Sequence, residues 1–267
     1  MLHELALVTE MCSVCILGIT NTASIILVLI AIICTIIICT ITLRSKPYRN
    51  DRLLPWCIYD SGPPMVVLVM DPKYQPEYQP IVNKYAGRLA FANPGEERQG
   101  SVENGLNKLV ELAGDSCKYV AVHDSARPLV TIKEVCDVVS DAKEHGAAVL
   151  GVPCKATIKE SEDGSMVLRT IPRARLWEVH TPQVIKIDTL QRGFAKVEAE
   201  NLEVTDDVSI VEQLGEPVKL TLGEYTNLKI TTPEDMNLAI SILDERKMEP
   251  VDLLDEAYGW EVDAPTK

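Results

Sequence analysis

Four short apolar runs recur along the chain: MVVLV at 65–69, RLAFA at 88–92, KYVAV at 118–122 and AAVLGV at 147–152. Runs of this length suit strands buried on both faces, and helical patterns separate most of them. Val102, Leu106, Leu109, Val110 and Ala113 fall at helical spacing between the second and third runs. Thr131 and Glu134 form the two ends of a capping box ahead of Val135, Val138 and Val139. Farther on, Thr232 supplies an N-cap, Pro233 a first helical residue, and Glu234 and Asp235 first-turn acids for a helix running toward Leu243. The alternation predicts an α/β fold with a mostly parallel sheet.

The segment 155–170 breaks this rhythm. Two β-prone pieces flank Glu162-Asp163-Gly164-Ser165, which predicts a projecting β-arm, either a dimer contact or a solvent-exposed flap. Residues 248–267 form an acidic tail.

Upstream of Met65 the chain changes character. Residues 23–43 carry no charge, and as a helix they would extend about 31 Å against a bilayer core of about 30 Å. They predict a hydrophobic N-terminal, transmembrane-like helix, with membrane contact through 23–43. Arg44, Lys46, Arg49 and Arg52 follow it and place the C-terminal domain on the cytoplasmic or equivalent face. A processed leader fits less well, because no small-residue cleavage site follows. The Ile/Cys/Thr monotony is also what translated noncoding sequence would give. Residues 44–64, with Pro47, Pro55, Pro63 and Pro64, suit a linker. The organisation expected is a 1–64 extension and a 65–267 domain.

With 267 residues, 46% of them hydrophobic, the chain can bury one substantial core, or one core plus an appendage. The net charge of −13 falls wholly after Pro64, which argues against a nucleic-acid partner while leaving room for a small phosphorylated substrate. Cys117, Cys136 and Cys154 lie far apart in apolar contexts and read as buried thiols. Cys12 and Cys15 have no second pair at zinc spacing.

Ligands of an open parallel sheet gather beyond the carboxyl ends of its strands. After RLAFA, residues 93–101 lead into a helix whose N–H groups suit a phosphate, with Arg98 adding charge and Ser101 a hydroxyl. Gly95 and Gly100 have the glycine spacing of a P-loop, but Ser101 stands where that motif requires lysine. An ordinary glycine-containing turn with a capping serine fits equally. After KYVAV, Asp124 suits Mg²⁺ or a substrate hydroxyl with Arg127 holding it, or the two form a local structural ion pair. His123 reads as packed at the strand end. Lys229, flanked by Leu228 and Ile230 in an expected strand, either enters a cleft or snorkels into solvent.

The ordered segments PGEERQGSVENGL, HDSARPLV, GAAVLGVPCKATIKE, RARLWEVHTPQVIK, EVTDDVSIVE and YTNLKITTPEDMNLA resemble the 2-C-methyl-D-erythritol 4-phosphate cytidylyltransferase family of non-mevalonate isoprenoid synthesis, in a form similar to its plastid branch. The resemblance covers roughly residues 65–247 and implies a nucleotide-binding (Rossmann-like) domain working as a homodimer through its β-arms. It implies that Arg173 and Thr157 reach the partner's substrate, that Arg173 and Lys229 position methylerythritol phosphate, and that Arg127, Thr181 and Thr205 assist. Gly95, Arg98, Ser101 and Asp124 would contact CTP, with Asp124 on its Mg²⁺. It also implies a plastid location, or a bacterial-type cytoplasm.

The family opens with a strand, a glycine-rich loop containing Arg and a Pro-Lys-Gln segment, and nothing before Met65 matches them. Losing one preorganised donor costs about 10²- to 10³-fold in rate. The resemblance therefore implies a truncated cytidylyltransferase, weakly active or inactive, with apolar strand edges left open in the sheet. The alternatives are a membrane-anchored noncatalytic homologue pairing through the β-arm, and a transferase for another polyol phosphate.

Overall fold

A computed structural model describes residues 34–41, 65–84, 89–114 and 117–246 of the chain. Its main sheet has seven strands in the order β3-β2-β1-β4-β8-β5-β9. These are β1 (Cys34–Ile41), β2 (Val66–Met70), β3 (Leu89–Ala92), β4 (Tyr119–His123), β5 (Ala147–Pro153), β8 (Trp177–Lys186) and β9 (Lys219–Leu222). The helices are α1 (Gln75–Lys84), α2 (Arg98–Ala113), α3 (Ile132–His145), α4 (Ile187–Glu200), α5 (Asp207–Gln213) and α6 (Pro233–Arg246).

Strand and helix alternate as expected, but the sheet is mixed rather than mostly parallel by neighbour pairing. β2 with β3 and β5 with β9 are parallel, while β1 and β8 each run antiparallel to both neighbours. The remaining strands therefore share one direction. The apolar runs missed β8 because WEVHTPQVIK mixes Pro182 and buried polar side chains into a ten-residue central strand. Pro is expected at sheet edges, so the pattern reads poorly as a strand.

The expected hydrophobic helix over 23–43 is also corrected. Its described part, Cys34–Ile41, is a strand between β2 and β4, with Ile38 opposite Val67 on one side and Val122 on the other. Its Ile and Thr residues are β-branched, stiff in a helix and well suited to extended backbone. Two flanking strands supply hydrogen-bond partners on both edges, so the edges expected to lie open beside 65–69 and 118–122 are paired. Among the described residues, no helix is long and apolar enough to cross a membrane. Residues 23–33, the linker 44–64 and the tail 248–267 lie outside the described residues.

Side-chain alternation along the strands makes two apolar layers. Val67, Val69, Val120, Val122, Val149 and Ile185 face α2, α4 and α5 through Leu106, Leu109, Leu190, Phe194 and Ile210. Ala121, Ala148, Leu150 and Val184 face α3 through Val138, Val139 and Ala142. The capping box of α3 forms as predicted, with Thr131 accepting from Glu134 N–H and Glu134 from Thr131 N–H. Cys117, Cys136 and Cys154 are buried, as expected.

Away from the main sheet, β6 (Ile158–Glu160) and β7 (Arg169–Ile171) form a hairpin where the arm was expected. Asp163 closes its turn by accepting from Ser165 and Met166 N–H at 2.8 and 3.0 Å, and Gly164 takes φ +73°. The Ser165 hydroxyl leads the contacts that hold the Asp163 carboxyl well below the usual range.

Candidate active site

Asp124 follows β4 directly, and its position is set by backbone and neighbouring strand together. Its N–H donates to Thr181 Oγ1 of β8 at 3.0 Å, and Thr181 Oγ1 lies 3.0 Å from His123 Nδ1. His123 Nε2 lies 3.1 Å from the Arg127 carbonyl. Burial is the main cause that lowers the His123 pKa to about 4, so the ring is neutral at pH 7. One tautomer satisfies the chain of bonds: Nε2–H donates to Arg127, and Nδ1 accepts from the Thr181 hydroxyl, which in turn accepts from Asp124. His123 is thus packed, as expected, and orients the loop that carries Asp124.

Cations converge on this carboxylate. Lys229 Nζ lies 2.9 Å from Asp124 Oδ2, Arg98 is 3.9 Å from Oδ1 and Arg127 Nε is 4.0 Å from Oδ2. Burial raises the Asp124 pKa, but the Lys229 hydrogen bond and the Lys229 and Arg98 charges outweigh it, and the net shift is downward. Lys229 therefore turns onto Asp124, with nearly half of its side chain still in solvent. It does so from irregular backbone rather than from the expected strand, because β9 ends at Leu222.

Arg98, at the start of α2, has a stronger partner that the sequence reading did not single out. Its two terminal nitrogens each bond a different oxygen of Asp207 at 2.8 Å, and Asp207 is fully buried at the start of α5. Burial pushes the Asp207 carboxyl up, while the guanidinium fork opposes that shift. Two parallel bonds need both oxygens as acceptors, so the pair stands as a carboxylate and a guanidinium. The signal was present in Thr205-Asp206-Asp207. Asp206 alone caps α5 in a box with Ser209, leaving a second acid for another task.

Gly95 and Gly100 also have a structural reason for their spacing. A Cβ on Gly95 would lie 2.5 Å from the Gly100 carbonyl carbon, so the two backbones touch. Gly95 N–H donates to Ser101 Oγ at 3.0 Å, and that hydroxyl donates to Glu97 O at 3.1 Å. Ser101 thus closes the turn, while no side chain caps the start of α2.

Arg127 turns mainly toward the 223–230 loop, donating to the Asn227 carbonyl at 2.7 Å. Asn227, fully buried, donates from Nδ2 to the Thr181 carbonyl at 3.0 Å. Thr205 is exposed beside Asp206, with its N–H on Ser209 Oγ. Thr157 and Arg173 lie at the exposed arm root, where Arg173 donates to the Lys155 carbonyl at 2.8 Å. The structure thus brings Arg98, Asp124, Arg127, Thr181 and Lys229 together and, among the described residues, leaves Thr157 and Arg173 with local surroundings.

Among the described residues no three His, Cys, Asp or Glu side chains form a metal site. Mg²⁺ usually takes one or two carboxylates plus phosphate and water oxygens. Asp124 fits an ion that arrives with a nucleotide, and does not fit a cage built by protein alone.

A family model described as IspD: 2-C-methyl-D-erythritol 4-phosphate cytidylyltransferase matches residues 62–245. A chloroplastic protein of Oryza sativa subsp. japonica bearing that enzyme name is 51% identical over 181 residues, spanning 68% of this chain and 60% of the relative. Its namesake in Geobacillus thermodenitrificans is 40% identical over 183 residues, spanning 68% and 78%. The crystal structure of a 4-diphosphocytidyl-2C-methyl-D-erythritol synthase from Anaerococcus prevotii superposes with a TM-score of 0.61 at 27% identity, covering 67% of this chain and 80% of that one.

Proposed function

The chain belongs to the 2-C-methyl-D-erythritol 4-phosphate cytidylyltransferase family, and on that premise we propose that it transfers cytidylyl from CTP to methylerythritol phosphate. The observation that carries this reading is Lys229 seated on Asp124, with Arg98 and Arg127 close by. Such a cluster suits two anionic substrates, because a cation already oriented by a carboxylate needs little reorganisation when phosphate arrives.

In this reading an oxygen of the substrate phosphate attacks the α-phosphorus of CTP in line. The new P–O bond forms as the bond to the β-phosphate bridge breaks, and pyrophosphate leaves. Lys229 and Arg127 hold the substrate side, with Thr181 keeping Asp124 in place. Arg98, locked by Asp207, and the uncapped start of α2 face the nucleotide phosphates. Asp124 would hold Mg²⁺, which supplies charge neutralisation on those phosphates. Thr157 and Arg173 serve the partner's site in a homodimer joined through the arms, and the chloroplastic rice relative supports a plastid location.

Residues 34–41 complete the sheet but carry no charge, so they bring no cation to the CTP phosphates. We therefore expect weak turnover from this chain by itself. The test is calorimetric titration of the full chain with methylerythritol phosphate, followed by pyrophosphate release with CTP and Mg²⁺. We expect binding, with turnover at least about 10²-fold below that of the Geobacillus relative. Full turnover would overturn the weak-activity reading, and absence of both binding and turnover would overturn the function.

A further inference from the structure

The 223–230 loop is tied down along its length. Glu224 N–H donates to the buried Glu134 Oε1 at 2.8 Å, Asn227 N–H to the Glu224 carbonyl at 3.1 Å, and Ile230 N–H to the Ala126 carbonyl at 2.7 Å. Asn227 is the member of this loop that reaches both other walls of the site. Its carbonyl receives Arg127, its Nδ2 donates to the Thr181 carbonyl, and Lys229 follows two residues later. Among the described residues its Oδ1, which is buried, has no hydrogen-bond partner. Burying an unpaired amide oxygen is costly, so packing alone would favour an apolar side chain here.

We propose that Asn227 is a positioning residue: its amide, fastened to β8 at Thr181, sets Lys229 and Arg127 against Asp124. Asn227 itself touches no reacting atom. The proposal rests on the assignment of the cluster to methylerythritol phosphate, and it deepens that assignment by naming what holds the cluster's geometry. Without the amide, the loop keeps its backbone ties at Glu224 and Ile230 but loses its tie to the strand that orients Asp124. Lys229 is then free to swing toward solvent, where nearly half of its side chain already lies.

The test uses the full chain and two readouts. Competitive acetylation followed by mass spectrometry measures the exposure of Lys229 amine without any ligand, with Lys186 as an internal reference. Calorimetry measures methylerythritol phosphate binding. In Asn227→Ala we expect Lys229 to label about threefold faster relative to Lys186, the protection a half-exposed ion pair gives. We expect the substrate Kd to rise about tenfold. Ile230→Val, which trims the same loop without touching the amide, should lower the unfolding midpoint and leave Lys229 labelling unchanged. Unchanged labelling and Kd in Asn227→Ala would overturn the proposal, as would equal labelling gains in Ile230→Val.

If Asn227→Ala does not unfold cooperatively, Asn227→Ser decides, because its hydroxyl keeps a polar group at the position but ends an atom short of the Thr181 carbonyl. A folded serine variant with Lys229 exposed supports the proposal; one with Lys229 protected overturns it. If the wild-type chain shows neither methylerythritol phosphate binding nor turnover, the assigned function falls, while the labelling result still decides the role of Asn227.

Discussion

Around Asp124 the charged side chains answer to partners from other elements: Lys229 from the loop after β9, and Arg98 from α2 with Asp207 of α5 behind it. On the arm, the Arg173 side chain donates to the Lys155 carbonyl nearby, and Arg169 pairs with Glu160 across the hairpin in the open. The first region is fixed by burial and by contacts between distant parts of the chain. The second is an exposed ribbon held by neighbours in sequence. Residues proposed for one reaction are thus mounted on two supports with very different tolerance, so loss of stability and loss of turnover should separate between them.

The largest expected effect lies on the buried side. Asp207→Ala takes the forked partner from the partly buried Arg98 guanidinium, leaving it Asp124 at 3.9 Å, and we expect a loss of about 3–5 kcal/mol, read from urea unfolding midpoints. A change like that of a surface substitution would break the contrast between the regions.

Next comes pH. The folded His123 titrates near 4 and the unfolded imidazole near 6.5, so the unfolded state takes up the proton first as pH falls. Stability is full above about 6.5 and declines toward 4, by about 3 kcal/mol from this one ring. His180, also lowered to about 4 mainly by burial, acts with the same sign. Chemical unfolding across this window should show the decline, and His123→Asn should make it shallower, leaving the part that His180 contributes.

On the arm, Arg173→Ala should cut pyrophosphate release by about 10²-fold while shifting stability by less than about 0.5 kcal/mol. The smallest effect belongs to Arg169→Ala. Its exposed pair with Glu160 is worth about 0.2–1 kcal/mol at most, and the unfolding midpoint should barely move.

What the sequence disclosed follows from how local each signal is. Thr131 and Glu134 stand three residues apart, and their capping box was legible because the whole device fits in one helical turn. Asp124 was legible because a strand end marks a ligand edge in this class of sheet. Lys229 could not be placed, since its approach to Asp124 depends on a loop fastened to residues about a hundred positions away. The bond of Arg98 to Asp207 crosses 109 positions, and only a doubled acid hinted at it. For Cys34–Ile41 the apolar run itself misled: uncharged β-branched sequence reads alike as a membrane helix or an inner strand, and the two waiting neighbours decide between them.

Strand β1 carries a consequence for the order of events during synthesis. Ile38 pairs with Val67 and Val122, yet it leaves the ribosome well before either. At about 5–20 residues per second, Val122 emerges roughly 4–17 s after Ile38. For that interval, the segment destined for the middle of the finished sheet lacks at least one of its two neighbours. The speed of translation across residues 42–122 then sets how long holding chaperones must shield it, and with that the yield of correctly closed chains.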